Sequence, residues 1–136
     1  MKLEHIGIVV KDLARSLKAY QELLGVSAID FEEVNVEGNR ATIAFLPFGQ
    51  TKVELIQPKD DAGILPDFLR ERGEDGIHHL AFEVDDIESF YEKMKSKGVT
   101  FLWDGIRTGS RGSKVFFFKP EVFQGYFVEI VEKPKQ

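Results

Sequence analysis

Two stretches of the chain carry the same alternation of apolar residues with small or polar ones. Residues 3–20, LEHIGIVVKDLARSLKAY, align with residues 76–94, GIHHLAFEVDDIESFYEKM, when His5 is placed on His79. After each histidine the apolar residues follow a period of two, which is typical of a β-strand. The sequence therefore contains two copies of one structural unit.

Each strand pattern is followed by a pattern typical of a helix. Asp12 in the first copy and Asp86 in the second can cap a helix by accepting hydrogen bonds from its free backbone N–H groups. Apolar residues then recur three or four positions apart, as expected for an amphipathic helix. Gly25 and Gly98 mark the predicted helix ends.

Three more strands are predicted after each helix. The residues from 58 to 75 connect the two copies and include one short predicted helix at about Pro66–Arg72, and residues 104–113, DGIRTGSRGS, are predicted to form a loop. The predicted strands are about Ser27–Val34, Arg40–Leu46, Thr51–Gln57, Thr100–Trp103, Lys114–Phe118 and Tyr126–Val131.

The predicted fold class is α+β. Two tandem strand–helix–three-strand modules (βαβββ) are expected to form a curved mixed sheet around a metal site, with the helices outside. We expect one domain over residues 1–136, with module one at about 1–57, a connector at 58–75 and module two at about 76–133.

Four residues that can bind metals occupy equivalent positions of the two modules. His5 precedes Glu54 by 49 residues and His79 precedes Glu129 by 50. The strand period places all four side chains on the face opposite the predicted helices. Two imidazoles and two carboxylates suit a divalent ion such as Co²⁺, Zn²⁺, Ni²⁺ or Mn²⁺. His78 points to the opposite face and is predicted to be structural.

Composition limits the remaining possibilities. The net charge of −5 argues against a nucleic-acid or anionic-membrane partner, and the absence of cysteine excludes thiolate chemistry. No apolar run approaches the length of about 20 residues needed to span a membrane. No signal-peptide pattern opens the chain, so we expect a cytoplasmic location.

Several stretches resemble the vicinal oxygen chelate superfamily, and within it the methylmalonyl-CoA epimerases. They are HIGIVVKDLARSLKAYQELLG, AFLPFGQTKVELIQP, FLRERGEDGIHHLAFEVDDIE and GSRGSKVFFF. The resemblance extends over nearly the whole chain. The resemblance implies that His5, Glu54, His79 and Glu129 are ligands of one divalent metal ion. It also implies a small-molecule thioester substrate and proton abstraction next to the thioester carbonyl.

The resemblance leads to specific expectations for the catalytic residues. Glu129 is predicted to take or return the proton, with Glu54 or another acid as the second base. Thr42 stands where some epimerases have a catalytic glutamate, so Glu32, Glu33 and Glu37 become further candidates by proximity in sequence. The stretch KPEVFQGYFVEI also departs from the HPK(S/T)xG pattern that is common before the last strand of that family.

Arg111, Ser113 and Lys114 are predicted to bind the acidic groups of the substrate. They lie in the glycine-containing stretch RTGSRGSK, which offers cations, hydroxyls and backbone N–H groups to an anion. The same composition is typical of a solvated basic loop, and both interpretations stay open at this point.

Two other functions are compatible with the same residues. A lactoylglutathione lyase of the glyoxalase I type would use the same metal and two glutamate bases. A protein of this fold that sequesters a drug would need no such ligand set. A homodimer is expected, because isologous dimers are common for this fold.

Overall fold

The computed structural model describes residues 1–135, and the chain forms two compact units. The N-terminal unit is His5–His78, and the C-terminal unit combines His79–Gln136 with Met1–Glu4. One boundary therefore falls inside the first strand, between Glu4 and His5. Within the part of the chain that the structure describes, no helix has the length and apolar composition to cross a membrane.

The N-terminal unit has the predicted strand–helix–three-strand order, followed by the connector helix. Its strands lie side by side in the order β2-β3-β4-β1, with β1 parallel to β4 and the other pairs antiparallel. The elements are β1 (Lys2–Val9), α1 (Leu13–Leu24), β2 (Asp30–Val36), β3 (Asn39–Phe48), β4 (Thr51–Pro58) and α2 (Ile64–Arg72).

The C-terminal unit repeats the same topology. Its strand order is β5-β8-β7-β6, and β5 is parallel to β8 while the other pairs are antiparallel. The prediction of an α+β fold built from two βαβββ modules is thus confirmed. The elements are β5 (Gly76–Glu83), α3 (Ile87–Ser96), β6 (Arg107–Thr108), β7 (Lys114–Phe117) and β8 (Phe127–Glu132), with 3₁₀ turns at Ser110–Gly112 and Pro120–Phe123.

Both predicted aspartate caps are present. Asp12 accepts a hydrogen bond from the backbone N–H of Arg15, and Asp86 accepts one from that of Ser89, each at 3.1 Å. Gly25 adopts the left-handed conformation, with φ of 66°, and ends α1 as predicted. The local capping signals thus fix where each module's helix starts and how α1 stops.

One face of each sheet is covered by its module's helix. In the N-terminal unit, Leu13 and Leu17 of α1 pack with Leu55 and other buried residues of the sheet. In the C-terminal unit, Ile87 and Tyr91 of α3 pack on Phe116 with further strand residues. This arrangement leaves the glutamates of β4 and β8 on the opposite faces, as the period-two pattern predicts.

One end of the sheet face opposite α1 is covered by the connector helix α2. Leu69 of the connector helix α2 packs there against Val9, Phe45 and Ile56. His78 also contacts this helix, because its ring lies 5.0 Å from that of Phe68 in an edge-to-face arrangement. The amphipathic connector therefore buries apolar surface that the βαβββ pattern alone leaves exposed.

The predicted strand Thr100–Trp103 is wrong. Phe101 forms only an isolated bridge with Phe118, and the chain then turns at Gly105, which has φ of 86°. The second strand of this module is instead the two-residue β6, inside the stretch that we predicted to be loop. Glycine permits the turn, and the paired segment is too short to show a period of two.

Candidate metal centre

The N-terminal unit holds one histidine–glutamate pair on the face opposite α1. Glu54 of β4 stands beside Gly7 of β1, so His5, two residues earlier, is its diagonal neighbour on the same face. The His5 Nδ1 atom lies 3.0 Å from Glu54 Oε2. Both residues are buried, with relative exposures of 4% and 3%.

The C-terminal unit holds a second pair in the same register. Glu129 of β8 stands beside Ala81 of β5, and His79 is again two residues before that position. The His79 Nε2 atom lies 3.3 Å from Glu129 Oε1, and both side chains are buried. The repeat seen in the sequence thus becomes a repeat of side-chain geometry.

Each pair has donor atoms of the right type and spacing for a divalent metal ion. Ligand nitrogen and oxygen atoms lie about 2.1 Å from Zn²⁺. Two such ligands are about 3.0 Å apart when they subtend a right angle at the ion, and about 3.4 Å apart at the tetrahedral angle. The observed separations of 3.0 and 3.3 Å match this range. Burial of an imidazole and a carboxylate is costly unless they are paired or coordinate a metal.

Aromatic rings surround the C-terminal pair, and the sequence predictions missed them. In the strand registers Phe117 stands opposite Glu129, and Phe127 stands opposite His79. The Phe117 ring is 5.6 Å from the His79 ring and 5.7 Å from the Trp103 ring. The period of two, counted back from Glu129, could have identified Phe127, whereas Trp103 follows the bend of an irregular segment and gave no signal.

The three predicted substrate-binding residues do not point the same way. Lys114 lies on the α3 face, where its Nζ donates to Glu88 Oε1 at 2.7 Å. Ser113 is buried and its hydroxyl donates to the Ser110 carbonyl at 2.7 Å. Arg111 is exposed and has φ of 55° within the 3₁₀ turn. The structure thus places the side chains of Lys114 and Ser113 in contacts within the unit.

The candidates for a second base differ in their placement. Thr42 belongs to the α1 face of β3, where it stands beside Gln57, whereas Ile43 belongs to the face of Glu54. Glu32 is half-buried and stands opposite Ile43, so it shares that face. Glu33 points the other way and binds Lys59 at 2.6 Å, which lowers the pKa of Glu33.

Glu37 occupies the turn between β2 and β3, with φ of 53°. Since a turn residue has no strand neighbour to fix its direction, the register does not assign it to either face. Glu32 is therefore the acid of this group that the strand register places on the face of Glu54.

A third acidic group lies at the start of α3 and has structural roles. Carboxylate oxygens of Asp86, Glu88 and Glu132 come within 4.8 Å of one another. Asp86 caps the helix, Glu132 accepts from the backbone N–H of Ile87, and Glu88 binds Lys114. These hydrogen bonds account for the cluster without an ion.

Comparisons with known proteins agree with this fold. The family model described as "Glyoxalase/Bleomycin resistance protein/Dioxygenase superfamily" matches residues 4–117. Methylmalonyl-CoA epimerase of Dictyostelium discoideum is 31% identical over 97% of this chain and 78% of its own length. An ethylmalonyl-CoA/methylmalonyl-CoA epimerase of Cereibacter sphaeroides is 31% identical over 95% of this chain and 96% of its own.

A solved structure is similar over the full length. Streptomyces coelicolor methylmalonyl-CoA epimerase, a single-residue variant in complex with 2-nitronate-propionyl-CoA, superposes with a TM-score of 0.90 at 28% identity. The match covers 99% of both chains. The similarity to epimerases that the motifs predicted is thereby confirmed, and epimerases are isomerases.

Proposed function

Because the chain belongs to the glyoxalase/bleomycin resistance protein/dioxygenase superfamily, we propose that it catalyses the metal-dependent epimerisation of methylmalonyl-CoA. The observation that carries this proposal is the repeated histidine–glutamate pair, which has the same strand register in both modules. The named relatives and the solved structure support the choice of substrate, since they are epimerases of acyl-CoA thioesters.

The proposed ligands of the divalent metal are His5, Glu54, His79 and Glu129. Each pair offers an imidazole nitrogen and a carboxylate oxygen at a separation that suits neighbouring ligands of one ion. A bound divalent ion would supply positive charge that stabilises a developing enolate. Co²⁺, Zn²⁺, Ni²⁺ and Mn²⁺ all accept this donor set.

The proposed reaction removes a proton from one face of the substrate α-carbon and delivers a proton to the opposite face. A carboxylate removes the α-proton, and the electrons of the C–H bond pass into the enolate of the thioester. A proton then returns to the opposite face, which inverts the configuration. Glu129 is the proposed base on one side, with Glu54 or Glu32 on the other.

Arg111, Ser113 and Lys114 remain proposed contacts for the acidic groups of the substrate. Arg111 and Lys114 are exposed, whereas Ser113 is buried. Lys114 would have to leave Glu88 and Ser113 would have to leave the Ser110 carbonyl, so a contribution from either requires a local rearrangement. The homodimer and the cytoplasmic location also stay predictions.

The proposal is tested by proton exchange in deuterated buffer. The wild-type protein loaded with Co²⁺ should exchange the α-proton of methylmalonyl-CoA and interconvert its epimers. Glu129→Gln should lose exchange by a factor of about 100 or more, as expected when a general base is removed. The matched control is Glu121→Gln, because Glu121 is exposed in the same unit. Metal content is measured in each sample.

Three outcomes would contradict parts of the proposal. Exchange at the wild-type rate in metal-loaded Glu129→Gln would remove Glu129 as the base. Absence of exchange in the wild type, together with formation of lactoylglutathione from its hemithioacetal, would favour the lyase. Binding of small molecules without either reaction would favour a sequestering protein.

A further inference from the structure

Three aromatic side chains form a row of edge-to-face contacts beside His79 and Glu129. This aromatic shelf consists of Trp103, Phe117 and Phe127. The ring centroids of Trp103 and Phe117 are 5.7 Å apart, and those of Phe117 and Phe127 are 6.5 Å apart. We propose that the aromatic shelf contacts the acyl group of the thioester substrate, and that Trp103 limits the size of the substituent on its α-carbon.

The inference rests on the proposed function and adds the residues that select the substrate. Strand alternation places Phe117 and Phe127 on the face of His79 and Glu129. Phe116 and Phe118 of the same segment point toward α3, where they are 1% and 4% exposed within the core. Phe117 lies between them, points the other way and stays half-buried. An apolar ring that keeps part of its surface uncovered next to a buried imidazole and carboxylate is suited to contact a ligand.

The backbone around Trp103 is held in place on both sides. The N–H of Leu102 donates to the Phe117 carbonyl at 2.9 Å. The N–H of Gly105 donates to the hydroxyl of Tyr91, a buried residue of α3, also at 2.9 Å. These two hydrogen bonds fix the backbone on either side of Trp103, whose ring meets the Phe117 ring at an angle of 82°. Firm walls discriminate between substrates because they cannot yield to an extra methylene group.

The proposed substrate offers one apolar group for such a wall to contact. The α-carbon carries a thioester, a carboxylate and an alkyl group, and only the alkyl group seeks apolar contact. In the proposed reaction the α-carbon would lie close to the metal ligands and the base. A shelf that adjoins both His79 and Glu129 can hold the alkyl group and direct the α-proton toward the carboxylate. One methylene group in an apolar pocket changes specificity by about 10- to 200-fold.

The test compares methylmalonyl-CoA with ethylmalonyl-CoA as substrates. Trp103→Leu should raise the ratio of kcat/KM for the ethyl over the methyl substrate by about tenfold. Phe127→Leu, at the other end of the shelf, should raise KM for both. The matched control is Phe101→Leu, because Phe101 lies in the same segment as Trp103 but packs into the α3 core. A ratio within about twofold of the wild-type value in Trp103→Leu would overturn the proposal.

A measurement on the wild-type protein avoids any folding defect of the variants. Trp103 is the sole tryptophan of the chain, so intrinsic tryptophan emission reports on the shelf alone. Adding 2-nitronate-propionyl-CoA should change the emission intensity measurably, whereas coenzyme A without an acyl group should not. An unchanged emission at saturating acyl-CoA would also overturn the proposal.

The failure of this inference differs from the failure of the proposed function. If the wild-type protein epimerises methylmalonyl-CoA but either the substrate ratio or the emission fails to respond, the role of the shelf is wrong and the epimerase function stands. A wild-type protein that processes neither thioester would remove the epimerase. In that second case the emission change on acyl-CoA binding would still decide whether the shelf meets an acyl group.

Discussion

The side-chain oxygen Oε1 of Gln57 accepts a hydrogen bond of 2.6 Å from the backbone N–H of Leu13. In the second module Glu132 Oε1 accepts one of 3.0 Å from Ile87. Gln57 follows Glu54 by three residues, as Glu132 follows Glu129. The last strand of each module thus carries both the glutamate of the pair and the acceptor that ties the strand to the first turn of the helix.

Removing this acceptor should destabilise each module. Gln57→Ala and Glu132→Ala are each expected to lower the free energy of unfolding by about 1 kcal/mol, because a helix N–H loses its partner. Urea denaturation followed by circular dichroism measures the change. Glu132→Gln keeps an acceptor and should lie close to the wild type, and the exposed Gln50→Ala is the control. A Glu132→Gln protein as unstable as Glu132→Ala would contradict the role of the acceptor.

Metal content distinguishes one site from two. We expect one divalent ion per chain, and we expect His5→Ala and His79→Ala each to reduce it by about tenfold or more at micromolar metal, since each removes a ligand. Elemental analysis after dialysis gives the stoichiometry. His78→Asn is the matched control, because His78 neighbours His79 and packs on Phe68 instead. Two ions per chain in the wild type would show that each pair binds its own metal.

The ion pair between Lys114 and Glu88 has a pH signature. Its hydrogen bond lowers the pKa of Glu88 below the ordinary 4.5, so its contribution to stability is present above that pH and is lost as the pH falls below it. In Lys114→Met the pKa of Glu88, measured by NMR titration, should rise toward the ordinary value. The exposed Lys97→Met is the control.

The same titration shows whether Lys114 also meets the substrate. If a phosphate group of the substrate draws Lys114 away from Glu88, saturating coenzyme A should raise the pKa of Glu88 in the wild type. An unchanged pKa with bound coenzyme A would exclude Lys114 from the substrate contacts. Arg111 would then be the remaining cation of the predicted trio.

Two glycines should respond differently to alanine. A Cβ atom on Gly109 would lie 2.8 Å from Cγ1 of the buried Val115, so Gly109→Ala should cost about 1–3 kcal/mol of unfolding free energy. A Cβ atom on Gly76 would meet only the flexible side chain of Arg72, which can move away. Gly76→Ala should therefore stay within about 0.5 kcal/mol of the wild type. Equal losses in thermal unfolding would contradict this packing argument.

Most of the fold could be predicted because local sequence signals, the strand period and the helix caps, define the elements of both modules. The period of two identified β1 and β5, and the caps Asp12 and Asp86 fixed the helix starts. The short strand β6 was missed because two residues carry no periodicity. The sequence did not predict that α2 covers the face opposite α1, because this packing depends on a tertiary contact of Leu69.

The candidate site was predicted in part for the same reason. Both histidine–glutamate pairs follow from the repeat, since equivalent positions in equivalent strands share a face. Whether all four residues hold a single ion stays a prediction. The hydrogen bond of Lys114 to Glu88 could not be predicted, because Glu88 lies on a helix 26 residues away in sequence. Trp103 follows an isolated bridge, where neither strand nor helix period applies.

The split of the first strand between the two units has a consequence for biosynthesis. The N-terminal unit is complete once residue 78 has left the ribosome, whereas the C-terminal unit needs residues 1–4 together with the much later β8. Lys2 and Glu4 lie within 3.7 and 3.1 Å of Glu83 and Lys133, and the contact with Lys133 forms only after β8 is translated. A nascent chain should therefore become resistant to proteases in two stages, the second one awaiting the emergence of β8.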